Sequence, residues 1–172
     1  MAENDKQAFE NTTYRIFPAL HMLVRDANLT EAAASKYKIG TTVREPAFCD
    51  ATCKIGGMVT THRYAIISNH YLNTTPLVEK GKMWGLCICQ KDSRYKVIDI
   101  HRYKNKTQIL LLHDDEVGQL FKNIKYFSKE ILIRKCRELF EKKCVSPPIP
   151  EVATSEWLDR CAQPIGIDGN AR

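Results

Sequence analysis

The chain has 172 residues, 44% hydrophobic and 27% charged, and its 26 Lys and Arg against 20 Asp and Glu leave a net charge of +6. That is enough apolar material for one folded domain and too much for a disordered chain. No apolar run approaches the roughly 18 residues of a membrane span, and the acidic, polar start MAENDKQAFE lacks the order of a secretory signal, so a cytoplasmic location with no membrane contact is expected.

From residue 6 to residue 24, Phe9, Ile16, Phe17, Leu20, Leu23 and Val24 recur mostly at three- and four-residue steps, which predicts a helix broken near Pro18. Thr30 is placed to cap a second short helix over EAAAS, with Gly40 ending it. TTVREPAF, residues 41–48, reads as a strand, and Pro46 puts it at an edge or outside the sheet. A longer extended run follows over 58–71, then a loop over 72–82. KMWGLCICQ, RYKVIDIHRY and TQILLLH are separated by the polar turns KDS and KNK, short enough for hairpins, so they predict an antiparallel meander.

Asp114 and Asp115 stand where a helix would begin. Val117, Leu120, Phe121, Ile124, Phe127, Ile131, Leu132, Cys136, Leu139 and Phe140 trace one apolar face behind them. SPPIP, residues 146–150, cannot continue the helix and reads as an extended spacer to a short capped helix in TSEWLDRC. The expected architecture is an α+β domain over residues 1–145: N-terminal helices, a four- or five-stranded antiparallel meander sheet, and a long C-terminal amphipathic helix packed on one face. A proline-tethered tail over 146–172 completes it, docking on its own domain or offering residues 151–162 to a protein partner.

The chemistry-bearing residues centre on a His-Arg-Tyr triplet that occurs twice, at His62-Arg63-Tyr64 and His101-Arg102-Tyr103. Strand alternation puts His62 with Tyr64 on one face and His101 with Tyr103 on one face, so matching parity would gather all four. Two imidazoles with cations nearby are what metal-free RNA cleavage needs: a base for the 2′-hydroxyl, an acid for the leaving oxygen and charge for the phosphorane. Arg63, Arg102 and Lys96 would then share the opposite surface.

Aromatics interleave with cations in YKVIDIHRYK, where Tyr95, Lys96, Arg102, Lys104 and Lys106, with Arg63 beside them, suit base stacking and phosphate contact. Between Lys91 and Lys106 six basic residues stand against two acids, and between Val117 and Cys144 eight stand against three. Such asymmetry permits an anionic partner.

Seven cysteines, an odd number in a chain without an export signal, read as reduced thiols. The spacings of Cys49, Cys53, Cys87 and Cys89 do not match zinc knuckles, and no metal or other cofactor is expected. Cys53 beside Lys54 and the Gly56–Gly57 pair is the one thiol with features of a reactive site. The leading expectation is a non-enzymatic binding module for RNA or a nucleotide-like anion. The alternatives are a metal-independent ribonuclease using the paired histidines and a protein-interaction or regulatory module.

Overall fold

The computed structural model describes residues 14–17, 20–113 and 128–166, the first stretch by its backbone path alone. Strands β1 (Tyr14–Phe17) and β2 (Leu20–Ala27) form an antiparallel hairpin where an N-terminal helix was predicted. The reason lies in burial. Leu20, Met22, Leu23 and Val24 are all buried, so β2 is covered on both faces and shows no polar alternation, and its apolar cluster mimics a helical stripe. Residues 6–13 of that predicted helix lie outside the described residues. The second helix, α1 (Glu31–Ala34), is a single turn capped by the Thr30 hydroxyl, which accepts from Ala33 N at 3.2 Å.

The remaining strands are β3 (Thr42–Glu45), β4 (Cys49–Thr52), β5 (His62–Ser68), β6 (Leu72–Asn73), β7 (Leu86–Cys89), β8 (Ser93–Tyr103) and β9 (Lys106–His113). Helix α2 (Glu79–Trp84) precedes β7, in a stretch read from sequence as loop and strand. The sheet order is β3-β8-β9-β5-β2-β4-β7-β6, with β1 added to β2. The β5–β9 pair is parallel and the other pairs are antiparallel.

This mixed sheet of eight strands in one path overturns the expected four- or five-stranded antiparallel meander. Two pairings account for the difference. β8 and β9 do form the predicted hairpin, but β7 leaves β8 and pairs with β4 and β6. β5 runs beside β9 instead of beside its nearer neighbours in sequence, and the near-continuous burial of both strands is what a parallel pair inside a sheet demands.

Helix α3 (Lys129–Cys144) starts later than the sequence suggested. Ser128 has extended backbone and its hydroxyl accepts from Ile131 N, so the helix has its own cap there and is not one rod from residue 117. The predicted positions 114–127 lie outside the described residues. Leu132, Cys136 and Leu139 of α3 cover the sheet face made by Met22, Val24, Ala65, Ile67, Leu110 and Leu112. The opposite face, with Leu23, Ile66, Leu111 and Val97, is covered by the sheet itself. A single ladder pair, Val24 with Thr52, joins β2 to β4, and Cys49, Ala51, Cys87 and Cys89 of β4 and β7 pack back onto that face.

The tail follows the domain surface. Gly57 N donates to Pro147 O at 3.0 Å, and a Cβ on Gly57 would sit 2.0 Å from Ser146 O. The glycine pair therefore serves the close approach of the chain's own proline spacer, not of a ligand. Helix α4 (Ser155–Arg160) buries Trp157 against Trp84, ring centroids 5.4 Å apart, and Cys161 and Ile165 are buried behind it. The apolar side chains of 151–162 that a partner would grip are thus largely spent on the domain.

Candidate functional site

The two His-Arg-Tyr triplets do not converge. His62 lies opposite Thr107, and Thr107 lies opposite Arg102, so His62 and Arg102 share a face across β9. Arg63, Gln108 and His101 occupy the next row, on the other face. The intervening strand sets the triplets one residue out of step, and a one-residue offset reverses every side chain. His62 Nδ1 is 2.8 Å from Thr61 Oγ1, and burial, followed by the Arg102 charge, holds its pKa below the usual 6.5. His101 Nε2 is 2.8 Å from a Glu141 carboxylate oxygen on α3, and its ring meets Phe140 edge-on. No single phosphate can lie between these imidazoles. Tyr103 belongs with His101, while Tyr64 is buried with its hydroxyl 2.7 Å from that of Tyr37.

The basic ribbon disperses as well. Arg63 is buried, with Nε and Nη2 each 2.7 Å from an Asp26 carboxylate oxygen. Tyr95 is buried in the core. Lys96 and Arg102 are exposed on opposite faces, Lys104 lies over the Tyr103 ring of its own hairpin, and Lys106 Nζ donates to Thr60 O.

The cysteines meet without making a metal site. Cys49 pairs with Cys89 across β4 and β7, and Cys53 and Cys87 join the same core. Burial pushes Cys49 up to about 11 and Cys89 up to about 12, and among the described residues no group of His, Cys, Asp and Glu is placed to hold a metal ion. Cys53, singled out from its neighbours in sequence, is buried.

Another group of side chains converges at positions that no sequence motif marks. Ser68 ends β5 and His113 ends β9, at the carboxyl end of the parallel pair. His21 on β2 lies opposite Ser68, and Tyr95 on β8 lies opposite His113. His21, Ser68, His113 and Tyr95 thus form one row across four neighbouring strands. Ser68 Oγ is 2.8 Å from His113 Nδ1 and accepts from His70 N at 2.9 Å. The His113 ring stands 5.0 Å from that of Tyr95 and 6.2 Å from that of His70. His21 Nδ1 is 2.6 Å from the Tyr71 hydroxyl.

The row has two layers. Ser68 and His113 are buried, His21 and Tyr71 are partly exposed, and His70 is exposed. The inner pair therefore positions and the outer groups meet solvent. Asn69 Oδ1, between Ser68 and His70 in the chain, is a buried acceptor without a hydrogen-bond partner. Imidazoles exchange protons at neutral pH, so this end of the sheet is equipped for acid–base chemistry. The sequence pattern predicts a helix around His21, an extended run that includes His70 and a strand that ends at His113. Their meeting depends on the β2–β5 and β5–β9 registers, which no local spacing announces.

Solved structures similar to the chain include ADP-ribosyltransferase toxins and effectors. Exoenzyme S from Pseudomonas aeruginosa, solved with human 14-3-3 protein beta and bound to Carba-NAD, is 12% identical over 76% of this chain and 62% of its own, with a TM-score of 0.48. HopU1 of Pseudomonas syringae is 10% identical over 63% and 48%, with a TM-score of 0.48. The Vis toxin from Vibrio splendidus is 13% identical over 56% and 49%, with a TM-score of 0.44. The chain spans about half to three-fifths of the length of these proteins. No family model matches the sequence, and no curated protein matches it.

Likeness at this level concerns the path of the chain and leaves the chemistry to its residues. The expected readings are nonetheless corrected. The residues assigned to RNA contact and cleavage are scattered over two faces and the core, which overturns the expected RNA-binding ribbon and paired-histidine ribonuclease. Among the described residues no helix is long and apolar enough to cross a membrane.

Proposed function

We propose that the chain is an enzyme of acid–base group transfer acting on a nucleotide-like ligand at the carboxyl ends of β5 and β9. The observation that carries this reading is the Ser68 hydroxyl, which is bonded to the buried His113 imidazole and also accepts from the backbone of the exposed His70. That arrangement fixes the His70 backbone against a rigid sheet end and leaves its accessible imidazole edge-on to His113, 6.2 Å away, at the rim where proton transfer would take place.

In this reading His70 is the catalytic residue. Its imidazole takes the proton from an attacking oxygen or nitrogen while the acceptor's lone pair forms the new bond and the leaving group departs with the old bonding pair. The Tyr71–His21 pair is the second proton-exchanging unit at the same rim. Ser68 and His113 are positioning residues. A nucleotide-like ligand suits the site because the His70 and Tyr71 rings offer aromatic faces for stacking. The seven cysteines are free thiols, which suits work in a reducing cytoplasm.

NAD is the first ligand to test, because the similar structures are named as ADP-ribosyltransferases. Purified chain is incubated with NAD and, in parallel, other common nucleotides, and both leaving-group release and transfer of label to protein are measured. The expected outcome is turnover that falls by roughly 10²-fold or more in His70→Ala while thermal unfolding is unchanged. Absence of turnover across the nucleotides, or full turnover in His70→Ala, overturns the proposal.

A further inference from the structure

Among the described residues, Arg63 and Arg137 each set the Nε–Nη2 edge of the guanidinium on a carboxylate. Arg63 places Nε and Nη2 on the two carboxylate oxygens of Asp26, both at 2.7 Å. Arg137 places the same two nitrogens on Asp99, at 2.8 and 2.6 Å. Arg25, on β2 and only 7% exposed, does not. Its Nη1 donates to Asp50 O at 3.2 Å and its Nη2 to Gln163 O at 2.9 Å, while Nε is buried with no hydrogen-bond partner. The edge that fits a carboxylate or a phosphate bidentately therefore holds a single neutral carbonyl.

That carbonyl belongs to the segment after α4. Residues 161–166 bury the Cys161 and Ile165 side chains and are hydrogen-bonded through main-chain atoms: Gln163 O by Arg25, Ile165 O by the Tyr37 hydroxyl at 2.7 Å, Ile165 N by the Tyr64 hydroxyl at 3.4 Å, and Gly166 N by Glu45 Oε2 at 2.8 Å. The Arg160–Asp50 ion pair, at 2.7 Å, anchors its start. A buried guanidinium with an unused donor and the Tyr37 hydroxyl thus lie beneath carbonyl oxygens, with the Tyr64 hydroxyl bonded to Tyr37 behind them. An ionised oxygen bonds such donors more strongly than a carbonyl does.

We infer that residues 161–166 form a displaceable strap over an oxyanion site, whose donors are Arg25 Nε and Nη2 with the Tyr37 hydroxyl, and whose ligand is a phosphate or carboxylate group. Strap and oxyanion exclude one another, so the contact is self-inhibitory at this site. The site is independent of the His70 rim, two rows away along the same sheet face.

Cys161 reports on the strap, because it is buried with it, and Cys136 beneath α3 reports on global opening. Intact chain is alkylated and the modified peptides are quantified by mass spectrometry at fixed ionic strength, with chloride replaced by inorganic phosphate or by acetate. Phosphate or acetate is expected to raise Cys161 alkylation several-fold with Cys136 unchanged; a response to acetate marks a carboxylate site and a response to phosphate alone marks a phosphate site. Arg25→Lys keeps the charge but loses the fork, and should abolish the response. Gly166→Ala places a Cβ 3.0 Å from Arg44 O at a φ of +64°, which loosens the strap and should lower the anion midpoint several-fold. Should Arg25→Lys unfold, seen as free Cys136 alkylation, the Gly166→Ala midpoint decides, and an unchanged midpoint overturns the inference. No anion response in the wild-type chain, or an equal response in Arg25→Lys, overturns it too.

Discussion

Ser68 Oγ and His113 Nδ1 lie 2.8 Å apart at the ends of two parallel strands that come from distant parts of the chain. Ser68→Ala takes away this partner of a buried imidazole nitrogen and the acceptor used by His70 N. The variant should lose about 1–3 kcal/mol in urea unfolding. If the proposed activity is present, kcat should fall more than KM rises, because the lost contact orients His70 without touching the ligand.

Arg63 and Asp26 form a buried ion pair beneath α3, with side-chain exposures of 3% and 16%. Removing one partner leaves an uncompensated charge, and Arg63 Nη1 already lacks a partner there. Asp26→Ala should cost about 3–5 kcal/mol, whereas the double variant Asp26→Leu with Arg63→Met should unfold close to the wild type. Denaturant midpoints of the three proteins test this ordering.

Gly57→Ala places a methyl carbon 2.0 Å from Ser146 O, a distance that backbone cannot yield without moving. A destabilisation of about 1–3 kcal/mol is expected. Faster protease cleavage near residues 146–150 should accompany it, because the proline spacer loses its seat.

His62 has a depressed pKa in the fold, from burial and then from Arg102, so the unfolded chain binds a proton near pH 6.5 before the folded chain does. The stability it contributes is present above pH 6.5 and is lost as pH falls through the lower folded value. His62→Gln should therefore flatten the decline in melting temperature between about pH 7 and pH 5. A wild-type and variant difference that is constant with pH would contradict the assignment.

Several elements were legible from local chemistry. Two hydrophobic runs separated by a short polar turn predicted the β8–β9 hairpin, Pro46 predicted an edge strand, and Thr30 and Thr154 stand as helix caps. Each depends on interactions within a few residues. β2 was misread because a strand buried on both faces lacks the alternation that distinguishes it from a helix, and Ser128 was passed over because the apolar stripe continued across it.

The candidate sites were illegible for a different reason. The repeated His-Arg-Tyr triplet drew attention, yet its two copies are one strand apart and one residue out of step. The histidines that do meet, His21, His70 and His113, share no spacing.

Composition and local order by themselves determined that this chain folds into a domain with a real core, that its cysteines serve as small buried thiols, and where several turns and caps fall. Only the tertiary structure decided which strands are neighbours, which face each side chain takes, and that Arg25 lies under the chain's own tail. Propensities and caps act through adjacent backbone atoms, whereas register and strand order are set by burial summed over segments far apart in sequence, and a shift of one residue exchanges core for surface.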